Sequence, residues 1–140
     1  MNRHELLFSY SEKFINHQKM WEAEWAKTNT CGLSVGQAYM IRVLKRVGPL
    51  QAKDLISLMS ISSGGVTVVS DKLIKKGYIR KTKDEKDLRA SYIELTEQGG
   101  EIYEVIMRDW FKVMDTIFGV LSDVEVAILQ QLFTRLVDRK

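Results

Sequence analysis

The chain has 140 residues, of which 45% are hydrophobic and 28% are charged, with one proline and one cysteine. This composition fits one folded domain that buries a core without stabilising disulfides or metal ions. It excludes a disordered chain and a small secreted protein held together by disulfides. It contains no run of roughly 18 apolar residues and no signal-peptide pattern, which excludes a membrane-spanning helix and leads us to expect a cytoplasmic protein.

The first predicted element is a helix over about Arg3 to Lys27. Apolar and aromatic residues recur there at spacings of three and four, which places them on one face. These residues are Leu7, Tyr10, Phe14, His17, Trp21 and Trp25. Two tryptophans and a phenylalanine on one stripe form a large apolar surface, and packing against a partner would account for it.

The next two elements are also predicted to be helices. Ser34 and Gln37 have the spacing of a capping box, and the helix that they open ends at Gly48-Pro49. A short helix follows over about Ala52 to Met59.

A fourth helix and a hairpin come next. Ser62 is a good N-cap, and Gly77 is a suitable glycine just past the end of the helix. The runs Tyr78–Thr82 and Ala90–Leu95 alternate as strands do, around the charged loop Lys83–Arg89. We therefore predict a β-hairpin, although this loop has no tight-turn glycine.

Two helices complete the chain. Thr96 caps a long helix over about Glu97 to Val120, and a second capping box, Ser122 with Glu125, opens the last one. Two helices joined by a tight turn and followed by a two-stranded hairpin form a winged helix-turn-helix. The predicted fold is therefore mainly α, with N- and C-terminal helices flanking a winged helix.

Basic residues are concentrated in this winged helix. Residues 62–89 include eight basic and four acidic residues, a net charge of +4, which leaves −1 for the rest of a chain whose total is +3. A local surplus of this kind is typical of a face that binds a polyanion, although a solvated surface of mixed charge would look similar.

The fourth helix and the hairpin carry the residues that we predict to contact DNA. The major groove admits one helix, and an arginine on a hairpin is narrow enough for the minor groove, with Asp87 placed to hold the Arg89 guanidinium. The helix candidates are Ser62, Ser63, Gly64, Thr67, Val68, Lys72 and Lys75. The wing candidates are Lys81, Lys83, Lys86, Asp87 and Arg89.

These motifs, taken in order, resemble the MarR family of bacterial transcriptional regulators. Leu33–Gln37 with Gly48-Pro49 is similar to the entry and exit of that family's second helix. The stretch Ile61–Thr67, continuing to Tyr78-Ile79, resembles its recognition helix. Lys81, Asp84, Asp87 and Arg89, followed by Ile93–Gly99, match its wing and the start of its long helix. The ordered match covers about Leu33 to Gly99, and the flanking helices agree in kind only.

The resemblance implies a homodimer that binds double-stranded DNA. Residues 1–32 and 100–140 of one MarR-like domain would form the dimerisation region, and residues 33–99 would form the DNA-binding lobe. A pseudo-palindromic operator with half-sites about one turn apart follows. By family habit the protein would be a repressor rather than an activator.

Three wing positions depart from the family pattern. Lys81 stands where arginine is frequent, Leu88 where a second wing arginine is common, and Glu85 where proline is frequent. We therefore expect fewer strong minor-groove contacts, and binding that is weaker or more sensitive to salt.

Many members of the family bind small aromatic or phenolic molecules between the dimer helices and the DNA lobe. The resemblance makes five residues candidates for an effector pocket, namely Trp21, Trp25, Tyr39, Arg42 and Trp110. Aromatic residues at helical spacing are more often packed core, and we favour that interpretation.

Other chemistries find little support. Cys31 does not match the position of the peroxide-sensing cysteines of some relatives, so we interpret it as an ordinary thiol, with oxidation between subunits as the open alternative. His4 and His17 are too few for a zinc site, and no cofactor is expected. No P-loop, dinucleotide fingerprint or nucleophile–base pair is present, so we do not expect an enzyme.

Two other functions stay open at this point. The first is a winged-helix protein–protein adaptor whose basic face meets an acidic partner. The second is a nonspecific architectural DNA binder, which the small and uneven basic surplus makes less attractive.

Overall fold

The computed structural model describes residues 1–139, and within them it is mainly helical, as predicted. Its elements, in chain order, are α1 (Arg3–Thr28), α2 (Val35–Val47), α3 (Ala52–Met59), α4 (Ser63–Lys75), β1 (Ile79–Lys83), β2 (Ser91–Leu95), α5 (Glu97–Phe118) and α6 (Asp123–Val137).

The chain divides into two compact units. The winged-helix unit is Asn29–Asp109, and the helical unit comprises Met1–Thr28 together with the described residues from Trp110 onward. The boundary falls within α5. The assignment of the outer helices to dimerisation and of the middle to DNA binding stays a prediction.

The core of the winged-helix unit forms around α2. This helix contacts α3, α4 and β2, and α4 also contacts α3 and β1. Apolar residues at helical spacing supply the buried side chains, among them Met40, Ile41, Val43, Leu44, Leu55, Val66, Leu73, Ile79, Ile93 and Ile106. The predicted capping box of α2 is present, since the Ser34 hydroxyl accepts from the Gln37 amide (3.2 Å) and the Gln37 side chain accepts from the Ser34 amide (2.9 Å).

The end of α4 fixes the start of the hairpin. Gly77 has a φ of +81°, and its amide donates to the Ile74 carbonyl (2.9 Å) while the Tyr78 amide donates to the Leu73 carbonyl (3.0 Å). These two bonds form a Schellman motif, with Gly77 in the position that was predicted for it. Because the Tyr78 amide closes the helix, β1 begins at Ile79 rather than at Tyr78.

The hairpin has a partner that was not predicted. β1 and β2 are antiparallel, from Ile79 opposite Leu95 to Lys83 opposite Ser91. Leu50 then pairs with Ile93 through two backbone hydrogen bonds of 2.7 and 3.0 Å. The segment after α2 therefore adds a third, one-residue strand to the wing.

The last two helices follow the predicted pattern with one shorter end. α5 ends at Phe118 rather than Val120, because the chain turns at Gly119 and the Leu121 amide donates to the Phe118 carbonyl (2.9 Å). The Ser122 hydroxyl accepts from the Glu125 amide (3.2 Å), as expected of the capping box that opens α6.

Candidate nucleic-acid interface

The N-terminus of α4 is built by Ser62. Its hydroxyl oxygen accepts a hydrogen bond from the Gly65 amide at 3.0 Å, so the serine is the N-cap. Ser62 is one of the seven residues predicted to contact DNA from this helix, and it also stabilises the start of the helix.

The other six predicted helix residues lie on one exposed face. Val66, Ser70 and Leu73 point into the core, and the residues between them are exposed except for the half-buried Val69. The exposed side consists of Ser63, Gly64, Thr67, Val68, Asp71, Lys72 and Lys75. The structure therefore brings the predicted major-groove residues together on one surface of α4.

Asp71 belongs to this surface and was not among the predicted contacts. It lies three residues after Val68 and four before Lys75, so it shares their side of the helix. A carboxylate here lowers the local positive charge and can accept a hydrogen bond from a cytosine amino group. Its helical spacing with Lys75 was the available signal in the sequence.

The tip of the wing is held by two aspartates in place of a tight-turn glycine. Asp84 Oδ1 accepts from the Lys86 amide (2.8 Å), and Asp87 Oδ1 accepts from the Arg89 amide (3.1 Å). The Asp84 amide also donates to the Ala90 carbonyl, which closes the loop at 3.0 Å. Aspartate side chains commonly satisfy backbone amides two residues on, so these acidic residues shape the turn.

The predicted contact between Asp87 and Arg89 is present. Arg89 Nε donates to Asp87 Oδ1 at 3.3 Å, while the Arg89 side chain stays 95% exposed. An ion pair this exposed contributes little to folding stability, so its main effect is to orient the guanidinium.

The lysines of the wing are exposed too. Lys81 and Lys83 share one face of β1, and Lys86 lies at the tip. Arg80 is on the opposite face of β1, where its Nε donates to Glu94 Oε1 of β2 at 2.8 Å. Arg80 is therefore paired across the hairpin, whereas Lys81, Lys83 and Lys86 are exposed to solvent.

Three of the five candidate effector residues pack against one another in the helical unit. The Trp21 and Trp110 ring centroids are 4.7 Å apart, and those of Trp25 and Trp110 are 5.5 Å apart. Trp25 is only 2% exposed. Packing of this kind is what the core interpretation expects, and a role in ligand binding stays a prediction.

The other two candidates lie in the winged-helix unit and contact each other. The Arg42 guanidinium carbon is 5.4 Å from the centroid of the Tyr39 ring, a cation–π geometry. Burial lowers the pKa of Arg42, with the nearby Arg46 acting in the same direction, although a guanidinium keeps its charge at neutral pH.

Cys31 has the surroundings of an unreactive thiol. Burial is the main cause that raises its pKa, and the Asp109 carboxylate also acts in that direction. A raised pKa keeps the thiol protonated at neutral pH, whereas the thiolate is the form that reacts.

The helical unit contains a large apolar groove, and Trp21, one of the predicted effector residues, lines it. Its volume is about 850 Å³. The lining is mostly aromatic and aliphatic and includes Phe14, His17, Trp21, Met114, Phe118, Leu129 and Phe133. Two of its lining side chains contact each other, since Trp21 Nε1 donates to His17 Nε2 at 3.0 Å.

Within residues 1–139, no group of three or more histidine, cysteine or carboxylate side chains is placed to hold a metal ion. In the same range no single helix is long and apolar enough to cross a bilayer. α5 and α6 reach that length and hydropathy only as a pair, and the chain bends by 105° between them.

Comparison with known proteins shows a family that the winged helix resembles. Residues 33–91 match the model of the MarR family. Among individual proteins, the chain is 27% identical over 108 residues to YpoP of Bacillus subtilis, an uncharacterized HTH-type transcriptional regulator. That match covers 77% of this chain and 76% of the relative.

Solved structures share the fold. A mutant of Escherichia coli MarR in complex with operator DNA superposes with a TM-score of 0.83 at 16% identity, over 98% of this chain and 99% of that one. Bordetella bronchiseptica BpsR, whose DNA binding is regulated by 6-hydroxynicotinic acid, superposes with a TM-score of 0.82 at 18% identity, over 91% and 98%. The family and its matched members are transcriptional regulators rather than enzymes. Over its winged helix, the chain is similar to the MarR family of transcriptional regulators.

Proposed function

We propose that this protein is a homodimeric repressor that reads a pseudo-palindromic operator, with α4 in the major groove and the wing in the minor groove. The observation that carries the proposal is the presence of two candidate DNA-binding surfaces in the winged-helix unit. The exposed face of α4 is small, polar and basic, and the neighbouring hairpin presents Arg89 almost fully to solvent. The likeness in fold to a MarR structure that contains operator DNA supports this use.

The entry of α4 suits a close approach to DNA. A Cβ atom placed on Gly64 would have the Ser62 hydroxyl oxygen as its nearest neighbour, at 3.9 Å, so internal packing does not require glycine there. Glycine in a helix costs roughly 1 kcal/mol relative to alanine. A gap on the outer face of the helix is a reason to keep it, because it lets a base edge or phosphate approach the backbone.

Replacing Gly64 with alanine should therefore separate stability from binding. We expect the free energy of unfolding to rise by about 0.5–1 kcal/mol, because alanine favours the helix. DNA affinity should fall, because the new methyl group occupies the contact surface. Urea unfolding and fluorescence anisotropy with labelled duplex measure the two quantities, and a variant that gains stability while binding as tightly as the parent would contradict this role for Gly64.

A second copy of the chain accounts best for the exposed apolar surface of the helical unit. No residue of α6 is buried, although the helix presents Val124, Ile128, Leu132, Leu136 and Val137. α1 buries only Trp25, and the 850 Å³ groove is open beside these helices. Apolar surfaces of this extent are typical of a protein interface, and obligate dimers bury such surfaces against each other.

A charge placed on that surface should weaken the dimer. Leu132 is 48% exposed on the apolar side of α6, and we expect Leu132→Glu to raise the dimer dissociation constant at least about tenfold, by burying a carboxylate. Gln131→Glu is the control, since the adjacent exposed position gains the same charge without the loss of an apolar side chain. Sedimentation over a concentration series measures both variants, and equal dimerisation of the two would argue against this interface.

Repression and an effector are the finer parts of the proposal. We propose a repressor rather than an activator because proteins similar to this chain, MdtR of Bacillus subtilis among them, are named as transcriptional repressors. A small aromatic effector is supported by the likeness in fold to BpsR and by the tryptophans of the helical unit. Titration of the protein–DNA complex with 6-hydroxynicotinic acid tests one such molecule, and release of DNA with a change in tryptophan fluorescence is the expected result.

Selection from a random duplex pool at physiological salt, with sequencing of the bound fraction, tests the DNA-binding function. We expect an enriched inverted repeat, and an affinity for it that falls steeply as salt rises. An adaptor that uses its basic face on an acidic protein would instead recover no motif.

A further inference from the structure

One residue on the outward face of α4 does not fit a purely polar surface. Val68 is 55% exposed, and it is the one large hydrophobic side chain that α4 exposes; the residues around it are glycine, threonine, aspartate and lysine. Valine is also a poorer helix former than the polar residues common at exposed positions, because branching at Cβ restricts its rotamers. Neither the core nor helix propensity explains the valine.

The neighbours of Val68 leave it accessible and extend its apolar surface. Gly64 is one turn earlier on the same side and carries no side chain. The Thr67 hydroxyl donates its hydrogen to the Ser63 carbonyl at 3.1 Å, so this side chain offers only an acceptor oxygen and a methyl group outward. Lys72 and Lys75 follow and supply charge for phosphates.

We propose that Val68 reads the 5-methyl group of a thymine, once in each half-site of the operator. Thymine is the base that presents a methyl group in the major groove, and an apolar side chain recognises it by excluding water from both. This inference rests on the proposed function and names the base that one residue of the interface selects. Val68 is thereby a specificity-determining residue, while the lysines hold the backbone irrespective of sequence.

Deoxyuridine makes the test specific, because it lacks only the methyl group of thymine and pairs in the same way. In the operator obtained by selection, each thymine is replaced in turn, in both half-sites together. The dissociation constants of the parent and of Val68→Ala are then measured by fluorescence anisotropy. Val47→Ala is the matched control, because Val47 is 50% exposed in the same unit but lies at the end of α2.

For the parent and for Val47→Ala, we expect one symmetric pair of thymines at which deoxyuridine weakens binding by about fourfold for each methyl lost, or about sixteenfold for the pair. Val68→Ala has a shorter side chain, so it should distinguish thymine from deoxyuridine at that position less than the parent does and keep its sensitivity elsewhere. Alanine favours the helix, so loss of folding is not expected.

Two results would overturn the inference while leaving the proposed function intact. One is an operator in which no thymine responds to deoxyuridine. The other is a Val68→Ala variant that responds as the parent does at every thymine. A pool that yields no motif at all would overturn the proposed function itself, and this inference with it.

Discussion

Replacing Gly99 with alanine is expected to lower the free energy of unfolding by about 2–4 kcal/mol. Gly99 is buried in the first turn of α5, where its amide donates to the Thr96 hydroxyl at 3.1 Å. A Cβ atom built there falls far inside van der Waals contact of the Tyr78 carbonyl oxygen and 3.1 Å from Leu95 Cδ2. The obstacle is backbone, which cannot swing aside, so the hairpin base or the helix must shift.

The close contact between Gly99 of α5 and the Tyr78 carbonyl holds the base of the hairpin in place. The Thr96 hydroxyl donates to the Gly77 carbonyl at 2.6 Å, and the Thr96 amide donates to the Tyr78 carbonyl at 3.1 Å. The end of α4, the base of the hairpin and the start of α5 thus meet within one small cluster of hydrogen bonds. We expect Gly99→Ala to weaken DNA binding as well, because it disturbs the position of the wing.

Gly100 supplies the control for this prediction. A Cβ atom at Gly100 has no heavy atom within 4 Å, so alanine there should be neutral or stabilise by up to about 1 kcal/mol through helix propensity. Urea unfolding followed by circular dichroism measures both variants, with an unchanged m-value as the check on two-state behaviour. Equal stability of the two would show that Gly99 and the Tyr78 carbonyl are not in close contact.

The second large effect is expected at the wing. Arg89→Ala should weaken operator binding by about 1–3 kcal/mol, or roughly 5- to 150-fold, because it removes the cation best placed for the minor groove. Folding stability should hardly change, since the Arg89 side chain is 95% exposed and its pairing with Asp87 is a surface contact. Anisotropy titrations across a salt series measure the loss and the change in salt slope.

The neighbouring residues sharpen this test. Leu88 is exposed at the same tip, where related wings often carry arginine, so Leu88→Arg should tighten binding and steepen its salt dependence. Asp87→Asn keeps an oxygen for the Arg89 amide but weakens the hold on the guanidinium, and we expect a smaller loss than for Arg89→Ala. Unchanged binding of Arg89→Ala would remove the wing from the DNA interface.

The elements of this fold could be predicted because local chemistry specifies them. The serine hydroxyls at three predicted N-caps, Ser34, Ser62 and Ser122, each accept a hydrogen bond from a backbone amide, as expected. Gly77 adopts the left-handed conformation expected just past a helix. Such signals lie within a few residues of one another. The Leu50–Ile93 pairing could not be found in this way, because it joins residues far apart in the sequence through backbone atoms alone.

The candidate site was predictable to a similar extent. Helical spacing was enough to place Thr67, Val68 and Lys72 on one outward face, because residues three and four apart share a side of a helix. The shape of the wing tip was harder to predict from the sequence, because Asp84 and Asp87 look like ordinary surface charges. Their hydrogen bonds to backbone amides become evident only in the structure. The apolar groove depends on how α1, α5 and α6 pack, which no local pattern specifies.

We propose that two copies of this chain read consecutive grooves of one operator. The most direct test compares the selected inverted repeat with the same repeat carrying about five extra base pairs between the half-sites, which rotates one half-site by roughly half a helical turn. Sedimentation with labelled duplex gives the number of chains bound, and anisotropy gives the affinity. We predict two chains on the intact repeat and a fall to nonspecific affinity after the insertion, whereas one chain bound with equal affinity to both duplexes would contradict the claim.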